Sequence, residues 1–288
     1  MRWASLNLWA HGHAKASPLA RSLMVLLIGS TLAMHGSALR ASTATEGLAS
    51  GLVLANLADR AIPANKIRVS NWTPPPRSGV FFAGFDCSID GMKTWSLTSR
   101  DNNELTFELR SGDRLRNPET GYSDPPSAER SEISIGGKRW FMGDSVFIKY
   151  EMLIPSGFDF SSPWTVTAQM HAGLNVSPPF EIGFRPGVGL NRLVMTARGG
   201  ESRSLTEHEY PIGDGPLARD VWHEVRLQVK MGHEGFLKGW LDGAPVLNLQ
   251  GYMGFNDQKN WYWRMGLYRR AVAETYKIQL RNFEMRRL

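Results

Sequence analysis

The sequence predicts an all-β protein, an antiparallel β-sandwich of the jelly-roll kind, and three observations predict it. Beyond Gly79 no long helical period is found, and runs of alternating apolar and polar residues recur between turn residues. Asp242-Gly243 stands between two such runs, the strongest short hairpin signal available. The body from Gly79 to Leu288, some 210 residues, suffices for one large sandwich around one core.

The runs follow in order. "NELTFELRSGD" sets Leu105, Phe107 and Leu109 against charged neighbours and stops at Gly112. "ERSEIS" (129–134), "SVFIKYEMLIP" (145–155), "WTVTAQMH" (164–171), "FEIGFRPG" (180–187) and "NRLVMTARGG" (191–200) follow. "TEHEY" around His208 and "GHEG" around His233 read as polar loops. "WHEVRLQVKMG" turns Val225, Leu227 and Val229 inward, and His223 shares their parity as a core histidine. "GFLKGWLDGAPVLNLQG" is the hairpin, and "YKIQLRNFEMRR" closes the chain. Just before it, "NWYWRMGLYRR" (260–270) splits with period two. Trp261, Trp263, Met265 and Leu267 take one face; Tyr262, Arg264, Gly266, Tyr268 and Arg270 take the other.

The first 38 residues read as a signal peptide, with basic residues Arg2, Lys15 and Arg21, the apolar run "SLMVLLIGSTLAM" and a small-residue "GSA" cleavage site. Residues 39–78 read as a spacer with a short helix ended by the prolines of "NWTPPPRSG", so that 79–288 is the β-domain. The expectation is an exported protein, periplasmic or secreted, with no stable membrane insertion after cleavage. The formal charge of +6 includes three basic leader residues, so the mature chain is weakly basic. By charge alone such a chain is no nucleic-acid binder, but it tolerates an anionic polymer. The single Cys87 cannot form an internal disulfide and reads as a buried small hydrophobe. No paired-Cys, H-E-x-x-H or EF-hand pattern is present, so nothing requires a metal or cofactor. A structural calcium ion is compatible with such a fold, but no ligand pattern calls for one.

Three segments carry more polar chemistry than a sandwich surface needs. Arg130, Glu132 and Ser134 share a face of "ERSEIS"; Gln169 and His171 share a face of "TAQMHAG"; Tyr262, Arg264, Tyr268 and Arg270 share the polar face of 260–270. Brought together on one sheet, these would form a cationic trough containing a proton shuttle.

"RSEIS", "QMH" and "YWRMGLYR", in this order, resemble the signature blocks of jelly-roll alginate lyases, roughly R-[ST]-E-[LV]-R, Q-[IV]-H and Y-F-K-x-G-x-Y. The wider frame, "FELRSGD", "WHEVRLQVK" and "GWLDGAPV", is similar to the heparin-lyase-I-like and glucuronan-lyase families. The resemblance spans 79–288 and implies a concanavalin A-like jelly roll acting as a monomer on an anionic polysaccharide. It departs at two places: Ser134 stands where the block ends in arginine, and Arg264 where it has lysine. Both departures argue against alginate itself.

The residues suit β-elimination on their own chemistry. Removing the C5 proton of a uronate beside its carboxylate requires that carboxylate to be neutralised. Arg130, a bidentate fork, and Gln169, a neutral donor, are suited to this. The resemblance implies His171 or Tyr268 as base and Tyr268 as acid. Arg264, Tyr262, Glu132 and Arg270 are the substrate-binding candidates: Arg264 for gripping polymer, Tyr262 for stacking on it, Arg270 for extending the polyanion track, and Glu132 for touching polymer while orienting an arginine. Gly266 is expected to let a sugar ring approach the sheet. The alternative is a lectin-like carbohydrate-binding jelly roll; a glycoside hydrolase would need two carboxylic acids flanking one bond, a pattern this chain lacks.

Overall fold

The computed structural model describes residues 79–288 apart from 92, 102, 118–120, 136–139, 173–176, 186–191, 201–205 and 256–259. The leader and spacer expected over 1–38 and 39–78 lie outside the described residues. Fifteen strands run through those described. They are β1 (Gly79–Phe82), β2 (Phe85–Asp90), β3 (Leu97–Asp101), β4 (Glu104–Leu109) and β5 (Ala128–Ile135). Next come β6 (Ser145–Leu153), β7 (Thr165–Ala172), β8 (Phe180–Phe184), β9 (Leu193–Gly200) and β10 (Thr206–Ile212). The last are β11 (Trp222–Lys230), β12 (Gly232–Leu241), β13 (Ala244–Phe255), β14 (Trp261–Arg270) and β15 (Tyr276–Arg287). Among the described residues no helix is long and apolar enough to cross a membrane.

One sheet runs β1-β2-β5-β14-β7-β8-β9, with β10 also paired to β9; the other runs β13-β12-β11-β6-β15-β4-β3. Pairing within each is antiparallel, and a two-residue parallel contact, Gly254 with Gly199 and Phe255 with Gly200, joins them. The join explains Gly199, where a Cβ would lie 2.2 Å from the Tyr252 carbonyl oxygen. Strand order is non-sequential because sequence neighbours such as β5 and β6 belong to different sheets, as a jelly roll requires.

The core lies between the sheets and follows the period-two pattern. Trp261, Trp263, Met265 and Leu267 of β14 are fully buried, as are Ile133, Ala168, Met170 and Ile182 of its neighbours. The other sheet contributes Phe107, Ile148, Tyr150, Leu227, Val229, Ile278 and Leu280. Each large side chain removed from water in this way contributes roughly 1.5–3 kcal/mol. Cys87 is buried among them, and its thiol is pushed up to about 12 by burial, which makes it unreactive.

Two expected loops are strands instead. "TEHEY" forms most of β10, with His208 exposed on it. Its polar residues hide the strand period, and cross-strand pairs hold it: Arg198 to Glu207 at 3.0 Å, and Arg185 on β8's end to Glu209 at 2.8 Å. His233 is the second residue of β12, beside an irregular register between Gly232 and Gly235. His223 is buried as expected, and both its nitrogens are engaged, Nδ1 with Asp242 at 2.7 Å and Nε2 with the Ala218 carbonyl at 3.2 Å.

Candidate active site

The three polar segments lie side by side as β5, β14 and β7. In register, Tyr268 faces Arg130, Gly266 faces Glu132 and Arg264 faces Ser134; on its other edge Arg264 faces Gln169 and Tyr262 faces His171. Alternation then turns the polar members of all three strands to the outer face of one sheet. β14 carries one extra residue against β7 between Met265 and Tyr268, a bulge that re-aims the Tyr268 end.

Glu132 is the centre. It is fully buried and accepts from Gln169 Nε2 at 2.7 Å and Arg130 Nη1 at 2.8 Å, with Arg264 Nη2 at 3.5 Å. The expectation that Glu132 touches polymer is therefore corrected: with no exposed surface, it braces the groups that do. Arg130 in turn donates Nε and Nη2 to the two oxygens of Asp124, at 3.1 and 2.9 Å. Arg264 donates Nη2 to Asp90, whose carboxylate also accepts from Ser134 Oγ at 3.0 Å.

The trough is not cationic. Two guanidiniums, Arg130 and Arg264, face three carboxylates, Asp90, Asp124 and Glu132, leaving one net negative charge. The reason is that a nearly buried guanidinium is tolerable only when matched and hydrogen-bonded. What remains for a ligand is directional: the unused N–H groups of Arg130 and Gln169. Among the described residues, Arg264 Nε and His171 Nδ1 are buried without a hydrogen-bond partner. Unmet polar atoms gathered in one place are what a polar ligand would satisfy.

His171 is partly buried, its ring 5.3 Å from that of Tyr262. Burial, then the positive charge of Arg264, lower its pKa to about 4, so the imidazole is neutral at neutral pH. Tyr268 lies under the Arg130 guanidinium, 4.0 Å from the ring centroid, and tilts against Trp164 at 5.0 Å. Burial raises its pKa, and the opposing pull of Arg130 does not overcome it, so the phenol keeps its proton. The guanidinium against this ring is that of Arg130, and Arg264 acts on it more weakly. Both His171 and Tyr268 feel the charges of Arg130 and Arg264.

Tyr262 is half-buried beside His171, whereas Arg270 is exposed at the strand end and takes no part in the network. Gly266 does not make room for a sugar. A Cβ there would lie 2.4 Å from the Ser131 carbonyl oxygen and 2.8 Å from Phe107, so the glycine is needed by the neighbouring strand and the core. Its φ of 134° is also one that only glycine adopts easily. Sequence reasoning missed Asp90 and Asp124. Asp124 sits in the turn-rich "GYSDPPS", where it also accepts from Tyr122 Oη at 3.0 Å and Leu115 N at 3.2 Å. Asp90 ends the short β2, where its parity with Ser88 was the one local signal; its place opposite Glu132 comes from the pairing of β2 with β5. No group of three or more His, Cys, Asp or Glu side chains among the described residues is arranged to hold a metal ion.

A family model for polysaccharide lyases matches residues 87–282, which takes in all three segments. The chain belongs to this polysaccharide lyase family. Among solved structures, this lyase is similar to an endo-β-1,4-glucuronan lyase from the fungus Trichoderma reesei, with 16% identity and a TM-score of 0.53 over 74% of this chain and 95% of that one. At that identity the likeness concerns the jelly-roll fold. An alginate lyase from Klebsiella pneumoniae aligns at 11% identity and a TM-score of 0.49, over 68% of this chain and 85% of that one. No curated protein matches the sequence.

Proposed function

We propose that this polysaccharide lyase cleaves a uronic-acid-containing polymer by β-elimination, with His171 as base and Tyr268 as acid. The observation that carries the reading is the braced Arg130–Glu132–Gln169 network, with the Tyr268 phenol under Arg130 and the neutral His171 imidazole two residues along the strand from Gln169. Arg130 and Gln169, held by Glu132, offer their remaining N–H groups to the uronate carboxylate, which lowers the cost of the enolate that forms next to it. His171 takes the C5 proton, the bond from C4 to the glycosidic oxygen breaks as the C4–C5 double bond forms, and Tyr268 gives its proton to the departing oxygen. A guanidinium above the Tyr268 ring eases the transient phenolate that this leaves. Arg264 and Tyr262 flank the reacting sugar, and exposed Arg270 lies further along the strand, where it meets polymer only outside the central subsites.

The same reading takes the protein as an exported monomer, periplasmic or secreted, with no membrane insertion once residues 1–38 are removed. The charged start, apolar run and small-residue site of that segment support it. Incubation with glucuronan, alginate and glycosaminoglycans, following ultraviolet absorbance of the unsaturated ends, tests the activity. A signal abolished by both His171→Ala and Tyr268→Phe is expected. Retention of polymer with no unsaturated ends from any of them would favour a lectin-like binding module.

A further inference from the structure

The proposed elimination gives no role to Asp90. This residue lies on the outer face at the end of β2, opposite Glu132. Its side chain is 22% exposed, while those of Glu132 and Asp124 are sealed at 0%. Asp90 is thus the carboxylate of the site that incoming polymer meets. It matches Arg264, the cation that would otherwise grip a second acidic sugar, and it holds Ser134, where the alginate-lyase block carries another arginine. Both cationic positions of the resembling block are thereby converted into a balanced acceptor patch.

We propose that Asp90 determines specificity. The subsite formed by Asp90, Arg264 and Ser134 disfavours a uronate and takes a neutral sugar, so the substrate is a heteropolysaccharide in which an uncharged residue adjoins the uronate that is cleaved. The inference rests on the lyase reading above. In a uronate homopolymer every ring brings a carboxylate, and one placed beside Asp90 meets a like charge and a guanidinium already matched. A hydroxyl or amide N–H at the same place meets a partly exposed acceptor.

The other side of the site has the same character. Along the row from Arg264 and Gln169 the next strand presents Glu181, where Arg185 and Arg198 are matched by Glu181, Glu207 and Glu209. Again two guanidiniums meet three carboxylates, so this row offers no unmatched cations to a polyanion.

The test compares wild type, Asp90→Asn and Ser134→Arg on a glucuronate homopolymer and on a polymer alternating glucuronate with N-acetylhexosamine. Both turnover and the affinity for size-matched oligosaccharides are measured. Wild type is expected to prefer the alternating polymer. Either variant should narrow that preference roughly tenfold, mainly by lowering KM and Kd for the homopolymer, and high salt should shrink the effect. An unchanged preference in both variants, or a wild type that binds the homopolymer better, overturns the proposal. The affinity ratio decides the role of Asp90 even if no polymer yields unsaturated ends, a result that would count against the lyase reading alone. Ser134→Arg keeps the question answerable should Asp90→Asn fold poorly.

Discussion

In the proposed mechanism His171 receives the C5 proton, so its ionisation couples rate to stability. Burial and the charge of Arg264 bring its pKa from the ordinary 6.5 to about 4. The folded chain therefore binds fewer protons than the unfolded chain between these values. The stability this represents is fully present above 6.5 and lost as pH falls through 4. The full separation corresponds to roughly 3 kcal/mol, of which roughly 2 kcal/mol is lost on going from neutral pH to near pH 5. His171→Gln removes the titration and keeps a polar side chain. Urea unfolding of both proteins at the two pH values should show wild type losing roughly 2 kcal/mol more than the variant. The rate should follow the same group, with the acid limb of kcat/KM lying near 4 rather than 6.5. Equal losses in the two proteins, together with a limb near 6.5, would show a solvated imidazole and refute the reasoning.

Two further perturbations probe the frame of the site. Glu132→Ala removes the acceptor shared by Arg130 and Gln169, a break in a buried pair that should cost about 3 kcal/mol and lower the melting temperature by about 7 °C. Calorimetry checks it, and a loss below about 1 kcal/mol would mean that Asp124 alone holds Arg130. Gly266→Ala forces a methyl group against the Ser131 carbonyl at an unfavourable φ, so it should destabilise by about 3 kcal/mol and depress activity through Tyr268, two residues along the strand. An unchanged melting temperature would show that β5 and β14 can separate freely there.

Much of the fold and half of the site were legible in the chain itself. Wherever one face of a strand meets a core, its apolar residues must alternate, so 260–270 declared both Trp261 and Trp263 as buried and Tyr268 as outward. The same parity put Arg130 with Glu132 and Gln169 with His171. It failed at β10, whose "TEHEY" carries a single apolar residue, Tyr210, and which is held by its ladder with β9, by cross-strand ion pairs and by Ile212 in the core. It also misjudged Gly266, since the missing side chain points at a neighbouring strand that no local pattern can reveal.

By itself the sequence determined which side chains face inward, which face outward, and the set of groups available for moving a proton, because side-chain direction is a local property of an extended backbone. Tertiary structure alone decided the electrostatics of those groups. Asp90 and Asp124 reach Arg264 and Arg130 through cross-strand register and the return of a turn-rich segment. Burial then lowers the pKa of His171 and raises that of Tyr268. Charge and desolvation depend on distance in space, and distances between separate strands are set only once the sheets have closed.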